Sequence, residues 1–126
     1  MECRRTILIV EDDPGVIQTF ARMLQILDYQ VVTALDAESG LLQMARAHPD
    51  AVLLDLRMPF VDGLAFLRRL RLDSNDRTPV AIVTGDYFID DSLTRELQEL
   101  DASVYFKPVW IEDLAHITEE LLRNHS

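Results

Sequence analysis

Thr6-Ile7-Leu8-Ile9-Val10-Glu11-Asp12-Asp13-Pro14 carries the plainest signature of the architecture. From Ile7 to Val10 no polar residue alternates with the apolar ones, so the strand has no solvent face. Such a strand is covered on both sides, the mark of a parallel sheet sandwiched between helices. Three carboxylates then close the run. Asp13 before Pro14 reads as a helix N-cap with proline at the first helical position.

Working outward, the same order of strand and helix recurs. Val16, Ile17, Phe20, Met23, Leu24 and Leu27 follow at helical spacing, and Asp28-Tyr29-Gln30 turns into a second strand, Val31 to Ala34. Asp36-Ala37-Glu38 opens a helix with Leu41, Leu42, Met44 and Ala45 on its apolar face, stopped by His48-Pro49. A third strand runs from Ala51 to Asp55. The loop from Leu56 to Asp62, containing Met58-Pro59, leads to Gly63 and a helix carrying Leu64, Phe66, Leu67, Leu70 and Leu72. Pro79 introduces a fourth strand ending at Thr84-Gly85. Asp90, Asp91 or Ser92 caps a fourth helix with Leu93, Leu97 and Leu100. Ser103 to Phe106 is a short fifth strand, and the fifth helix, from Ile111, carries Leu114, Ile117, Leu121 and Leu122. No repeat, low-complexity tract or linker interrupts this order, so residues 1–126 are expected to form one α/β domain with a doubly wound parallel sheet.

The strand ends carry the chemistry. Glu11-Asp12-Asp13, Asp55, Thr84 and Lys107-Pro108 each stand where an apolar run stops. In an open parallel α/β sheet these positions converge in the crevice outside the carboxyl ends of the strands. Read singly, each has an ordinary structural explanation: acids at a helix start, an Asp capping a turn, a Thr in a strand, a surface Lys. Together and in this order they describe a phosphoryl-accepting site. Adjacent carboxylates repel unless a cation sits among them. Mg²⁺ suits such a group, because it takes a few carboxylates and completes its shell with water and phosphate oxygens. An Asp carboxylate is a nucleophile toward phosphorus, a Thr hydroxyl donates to a phosphoryl oxygen, and a Lys pairs with another. The Lys107-Pro108 bond is a candidate for the cis form, which would aim the Lys inward.

Bulk properties narrow the classes. The chain has 126 residues, is 48% apolar and carries a formal net charge of −10, which argues against direct binding of nucleic acid. Cys3 is the single cysteine, so an intramolecular disulfide and a zinc cluster are excluded, and a reducing, cytoplasmic compartment fits. Arg4 and Arg5 precede an apolar run of only five residues, too short for a signal peptide or a membrane span.

Over essentially its whole length the chain resembles the receiver domain of bacterial two-component response regulators. The matching segments are Ile7-Leu8-Ile9-Val10-Glu11-Asp12-Asp13, Leu53-Leu54-Asp55-Leu56-Arg57-Met58-Pro59 with Asp62-Gly63, Ile82-Val83-Thr84, and Phe106-Lys107-Pro108. The resemblance implies a flavodoxin-like (βα)5 receiver fold with strand order 2-1-3-4-5. It gives Asp55 the phosphoacceptor role, with the phosphoryl group coming from a sensor histidine kinase or a phosphotransfer protein. Glu11 and Asp12 match the metal-binding acidic pair, Asp12 favoured as the direct ligand, and Arg57 would lend its backbone carbonyl to Mg²⁺. Thr84 would be the switch hydroxyl and Lys107 the phosphoryl-sensing lysine. The implied output is a changed protein-interaction face on the fourth helix, fifth strand and fifth helix. That face would be read by a downstream partner, a homodimer mate or an effector domain.

The chain departs from the family at one position. Family members place an aromatic switch residue three before the lysine, where this chain has Val104. Tyr105 falls one later, on the opposite face of a strand. Either Tyr105 takes the role by local adjustment or aromatic coupling is absent, and alternation favours the second. Arg57 and Asp86, each two residues beyond a site residue, are expected to pair across the mouth of the site. Two other readings compete with the switch. A phosphorylation-independent pseudo-receiver would lack the acceptor or the lysine, and this chain has both. A Mg²⁺-dependent aspartyl-phosphate phosphatase would place a second Asp two residues after the nucleophile, where this chain has Arg57.

Overall fold

The computed structural model describes residues 4–56, 63–85 and 89–123. In chain order the elements are β1 (Thr6–Val10), α1 (Pro14–Ile26), β2 (Gln30–Ala34), α2 (Ala37–Ala47), β3 (Ala51–Leu54), α3 (Gly63–Arg68), β4 (Val80–Thr84), α4 (Asp91–Glu99), β5 (Ala102–Phe106) and α5 (Ile111–Arg123). A π-helical turn, Arg69–Asp73, extends α3. The five strands lie in the order β2-β1-β3-β4-β5, every pair parallel. Strand order reverses beside β1, so the crevice at the carboxyl ends of β1 and β3 is the topological switch point.

Strand alternation splits the core into two layers. Leu8, Val10, Val52, Leu54, Val80 and Ile82 pack under α2, α3 and α4 with Ala37, Met44, Phe66, Leu67, Leu70 and Leu97. Ile7, Ile9, Ala51, Leu53, Ala81 and Val83 pack against α1 and α5 with Phe20, Leu24, Leu114 and Ile117. A fully buried Leu, Ile or Phe contributes about 1.5–3 kcal/mol of transfer free energy, so the apolar strand runs supply most of the drive for this sandwich.

The helix starts follow the caps. Asp13 accepts the Gly15 N–H at 2.8 Å, Asp36 the Ser39 N–H at 2.8 Å and Asp90 the Leu93 N–H at 2.8 Å. Of the three candidate caps of α4, Asp90 is therefore the one used. Each such cap is worth about 1 kcal/mol.

The structure corrects several details of the sequence reading. β2 and β5 each begin one residue earlier, at Gln30 and Ala102, and β3 ends at Leu54, with Asp55 just beyond it. Leu42 is 50% exposed and Leu72 is 70% exposed; Ala45 is exposed as well. The inward stripe of α2 is Ala37, Gly40 and Met44, and Leu42, two residues and about 200° from both Gly40 and Met44, points away from it. On α3 the stripe through Phe66, Leu67 and Leu70 passes to Arg71, which leaves Leu72 outside.

Candidate functional site

β1 and β3 are adjacent and in register, with Val10 opposite Leu54, so the residues after them are delivered side by side. The Asp55 N–H donates to the Val10 carbonyl at 3.0 Å, and the Glu11 N–H donates to the Ala34 carbonyl at 3.0 Å. Both acids are thus held by sheet-like bonds past the formal strand ends. Glu11 is 4% exposed and Asp55 8%. One carboxylate oxygen each from Glu11, Asp12 and Asp55 lies within 4.8 Å of the others. Asp13 faces away as the α1 cap, while its N–H donates to Glu11 Oε1 at 3.3 Å.

Lys107 enters from the end of β5. Its Nζ lies 3.4 Å from Glu11 Oε2 and 4.0 Å from Asp55 Oδ2. Its backbone N–H donates to the Thr84 carbonyl at 2.9 Å, and the Lys107-Pro108 bond is cis. Thr84 is buried at the end of β4, opposite Phe106 in the β4–β5 register. Glu11, Asp12, Asp55 and Lys107 therefore form one cluster, and Thr84 stands on the same rim, bonded through its backbone to Lys107.

The electrostatics of the cluster favour a cation. Burial, and then the charge on Asp55, raise the Glu11 carboxyl from its ordinary 4.5 to about 7, against the opposing pull of Lys107. Three converging carboxylates with hard oxygen donors suit Mg²⁺, and the Lys107 ammonium, 3.4 Å from Glu11, brings one positive charge to set against them. The residues fit that ion.

Tyr105 belongs to the other side of the sheet. It packs in the α1–α5 layer, and its hydroxyl donates to Glu120 Oε2 on α5 at 3.2 Å. Burial and the Glu120 carboxylate hold its phenol above the usual pKa. Val104 instead lies in the layer under α4. The alternation argument thus holds in three dimensions: Tyr105 faces away from α4. Arg57, Met58, Pro59, Asp62 and Asp86 lie outside the described residues, and with them the Arg57 carbonyl and the expected Arg57–Asp86 pair.

The sequence reading named Gly63 without its contact and passed over Arg71. Gly63 starts α3 against the acceptor's own backbone, where a Cβ would sit 2.2 Å from the Asp55 carbonyl oxygen. Arg71 is buried on the apolar stripe of α3, and an arginine at that helical spacing was the signal available for it.

Comparison with known proteins gives the same picture. The family model described as the response regulator receiver domain matches residues 7–119. The response regulator MprA of Mycobacterium sp. (strain KMS) is 37% identical over 123 residues, covering 95% of this chain and 51% of that protein. The transcriptional regulatory protein PrrA of Mycobacterium leprae (strain TN) is 32% identical over 118 residues, covering 93% and 49%. The chain thus spans about half the length of these curated relatives. Among solved structures, the BeF3-activated N-terminal receiver domain of Klebsiella pneumoniae RstA superposes with a TM-score of 0.82 at 31% identity, covering 94% of this chain and 99% of that one. Vibrio cholerae chemotaxis protein CheY4 superposes with a TM-score of 0.86 at 25% identity, covering 95% and 100%. The chain belongs to the response regulator receiver domain family. Among the described residues no helix is long and apolar enough to cross a membrane.

Proposed function

We propose that this domain is a phosphorylation-operated switch in a two-component relay, with Asp55 as the phosphoacceptor. The observation that carries this reading is the cluster of Glu11, Asp12 and Asp55 within 4.8 Å, with the Lys107 ammonium beside it. An Asp55 carboxylate oxygen attacks the phosphorus of a phosphohistidine on a sensor kinase or phosphotransfer protein. The P–N bond breaks, and the imidazole leaves with its electron pair. Such a transfer needs positioning and charge neutralisation more than covalent help. Mg²⁺, when bound, supplies much of that neutralisation. Glu11, Asp12, Asp55 and the Arg57 carbonyl are its proposed holders. Lys107 pairs with one phosphoryl oxygen and the Thr84 hydroxyl donates to another. The domain then catalyses only its own phosphorylation and dephosphorylation.

The added group brings about −1.5 to −2 charges to the rim. Drawing Thr84 toward it biases the face made of α4, β5 and α5 between two arrangements. A partner protein, a second copy of the chain or an effector domain reads that face; the transcriptional regulators among the relatives support the last. Residues 1–126 act as a single receiver unit in this reading, and the cytoplasm is where it works.

Intact mass after incubation with Mg²⁺ and acetyl phosphate tests the acceptor, with Asp55→Asn as control. A gain of about 80 Da, one phosphoryl group, in the wild type alone is the expected result. No gain in a folded, Mg²⁺-binding chain would shift the reading to a phosphorylation-independent binding module.

A further inference from the structure

Arg71 is 2% exposed and is the one buried cationic side chain among the described residues. A buried guanidinium is costly unless its donors are met. Here they are met by main-chain carbonyls. Nε donates to the Leu100 carbonyl at 2.8 Å, Nη1 to those of Asp76 and Thr78 at 2.7 Å each, and Nη2 to that of Asp101 at 3.3 Å. Leu100 is the C-cap of α4. Asp101 takes a left-handed conformation, φ 56°, in the turn that delivers Ala102 into β5 opposite Val80. A cation at this point also meets the negative end of the α4 dipole.

The two ends of α4 are secured very differently. At its C-terminal end Leu97 and Leu100 are buried, and the Arg71 fork holds the last carbonyls. Arg68 adds a two-pronged bridge to Glu96, Nε to Oε2 at 2.5 Å and Nη2 to Oε1 at 2.8 Å. At the N-terminal end the hydrogen bonds among the described residues are local: Asp90 caps Leu93 and accepts Thr94, Asp91, Ser92, Thr94 and Arg95 are exposed, and Ile89 and Leu93 are only half-buried against the core. That looser end begins seven residues after Thr84, on the side of the sheet where the carboxylates gather. The π-helical turn, closed by the Ser74 N–H on the Arg69 carbonyl at 3.1 Å, is the segment that carries Arg71. Turns of this kind are often kept at functional positions.

We propose that Arg71 clamps the C-terminal end of α4 and the turn into β5 to the end of α3. That end of α4 is then a fixed pivot about which its N-terminal half moves. The clamp makes the α4 response a tilt rather than a slide, and it ties the start of β5 to the helix that begins on the Asp55 carbonyl. Arg71 acts through the backbone it holds and touches no reacting atom. The pivot does not depend on Asp55 being the acceptor.

Residue-resolved amide hydrogen exchange on the chain without phosphodonor tests it. In a helix held only by its own bonds both ends fray alike; here the Leu100 and Asp101 amides should exchange at least about tenfold more slowly than those of Thr94 and Arg95. Arg71→Lys keeps the charge and loses the fork. It should erase that difference while α1 and α5, across the sheet, keep wild-type rates. Equal exchange at both ends of α4 in the wild type overturns the pivot, as does an R71K change shared equally by α1 and α5. Should R71K fail to fold, Arg71→Met, which fills similar volume without donors, replaces it and must erase the same gradient, because burial of Leu97 and Leu100 would by itself slow that end in the wild type. Glu96→Ala removes the Arg68 bridge and should leave the gradient in place. Its loss there would assign the anchor to that surface pair and refute the role of Arg71.

Discussion

β3 and β5 end on the same rim of one sheet, yet they are held in different ways. β3 is paired on both sides, with β1 and β4, and all its residues are buried. β5 pairs with β4 alone, and none of its residues is fully buried. The strand that presents Asp55 is fixed, and the strand that presents Lys107 is at an edge. A phosphoacceptor gains from rigid placement, whereas a reporter of its state must be able to shift. In the function proposed above, the difference in burial puts the two roles on strands suited to them.

The comparison can be broken first in the core. Leu54→Ala should cost about 3 kcal/mol, within the usual range for a buried Leu, read as a fall in the urea midpoint. A cost under about 1 kcal/mol would mean that β3 is no stiffer than β5. Gly63→Ala should follow at about 2–3 kcal/mol, since its Cβ would meet the Asp55 carbonyl oxygen at 2.2 Å. If unfolding shows no loss, α3 does not rest on the acceptor's backbone as tightly as this contact requires.

The third test uses pH. The Glu11 carboxyl keeps its proton to about pH 7 in the folded chain without metal, against an ordinary 4.5. The folded state thus binds the extra proton between those values. The stability this group contributes is complete below about 4.5 and lost as pH rises through about 7. Because Mg²⁺ must displace that proton, its affinity should fall below pH 7, approaching about tenfold per unit. Titration calorimetry at pH 6 and pH 8 measures this. Equal affinities would remove Glu11 from the ion's surroundings.

Two smaller effects sharpen the β5 side. Val104→Ala should cost only about 1 kcal/mol, because the side chain is half-buried at an edge; a cost equal to that of Leu54→Ala would erase the contrast. Tyr105→Phe removes the hydroxyl bond to Glu120 and should cost about 0.5–1 kcal/mol. It should leave the mass gain with acetyl phosphate unchanged, because Tyr105 faces α1 and α5. A lost or slowed gain would reopen its role as the switch aromatic.

The α/β alternation, the helix starts at Asp13 and Asp36, and the placing of Glu11, Asp12, Asp55, Thr84 and Lys107 at strand ends can be read from residue order alone. These are legible because they follow from local rules: apolar runs have a period, caps sit one residue before helices, and a parallel sheet turns its carboxyl ends to one side. The opposite facing of Val104 and Tyr105 was legible for the same reason, since alternation in a strand is local.

Which groups meet depends on packing between segments far apart in the chain. Glu11, far from Lys107 in sequence, comes within 3.4 Å of its ammonium, and this follows from the packing of β5 beside β4. Leu42 and Leu72 are turned outward by helix phase, which a count of apolar residues does not reveal. Arg71 is the clearest case. Its charge predicts a surface position, and it is buried because four carbonyls from two separate turns converge on it. Local sequence sets periodicity and caps; desolvation and the long-range meeting of donors with acceptors are settled only when the chain closes on itself.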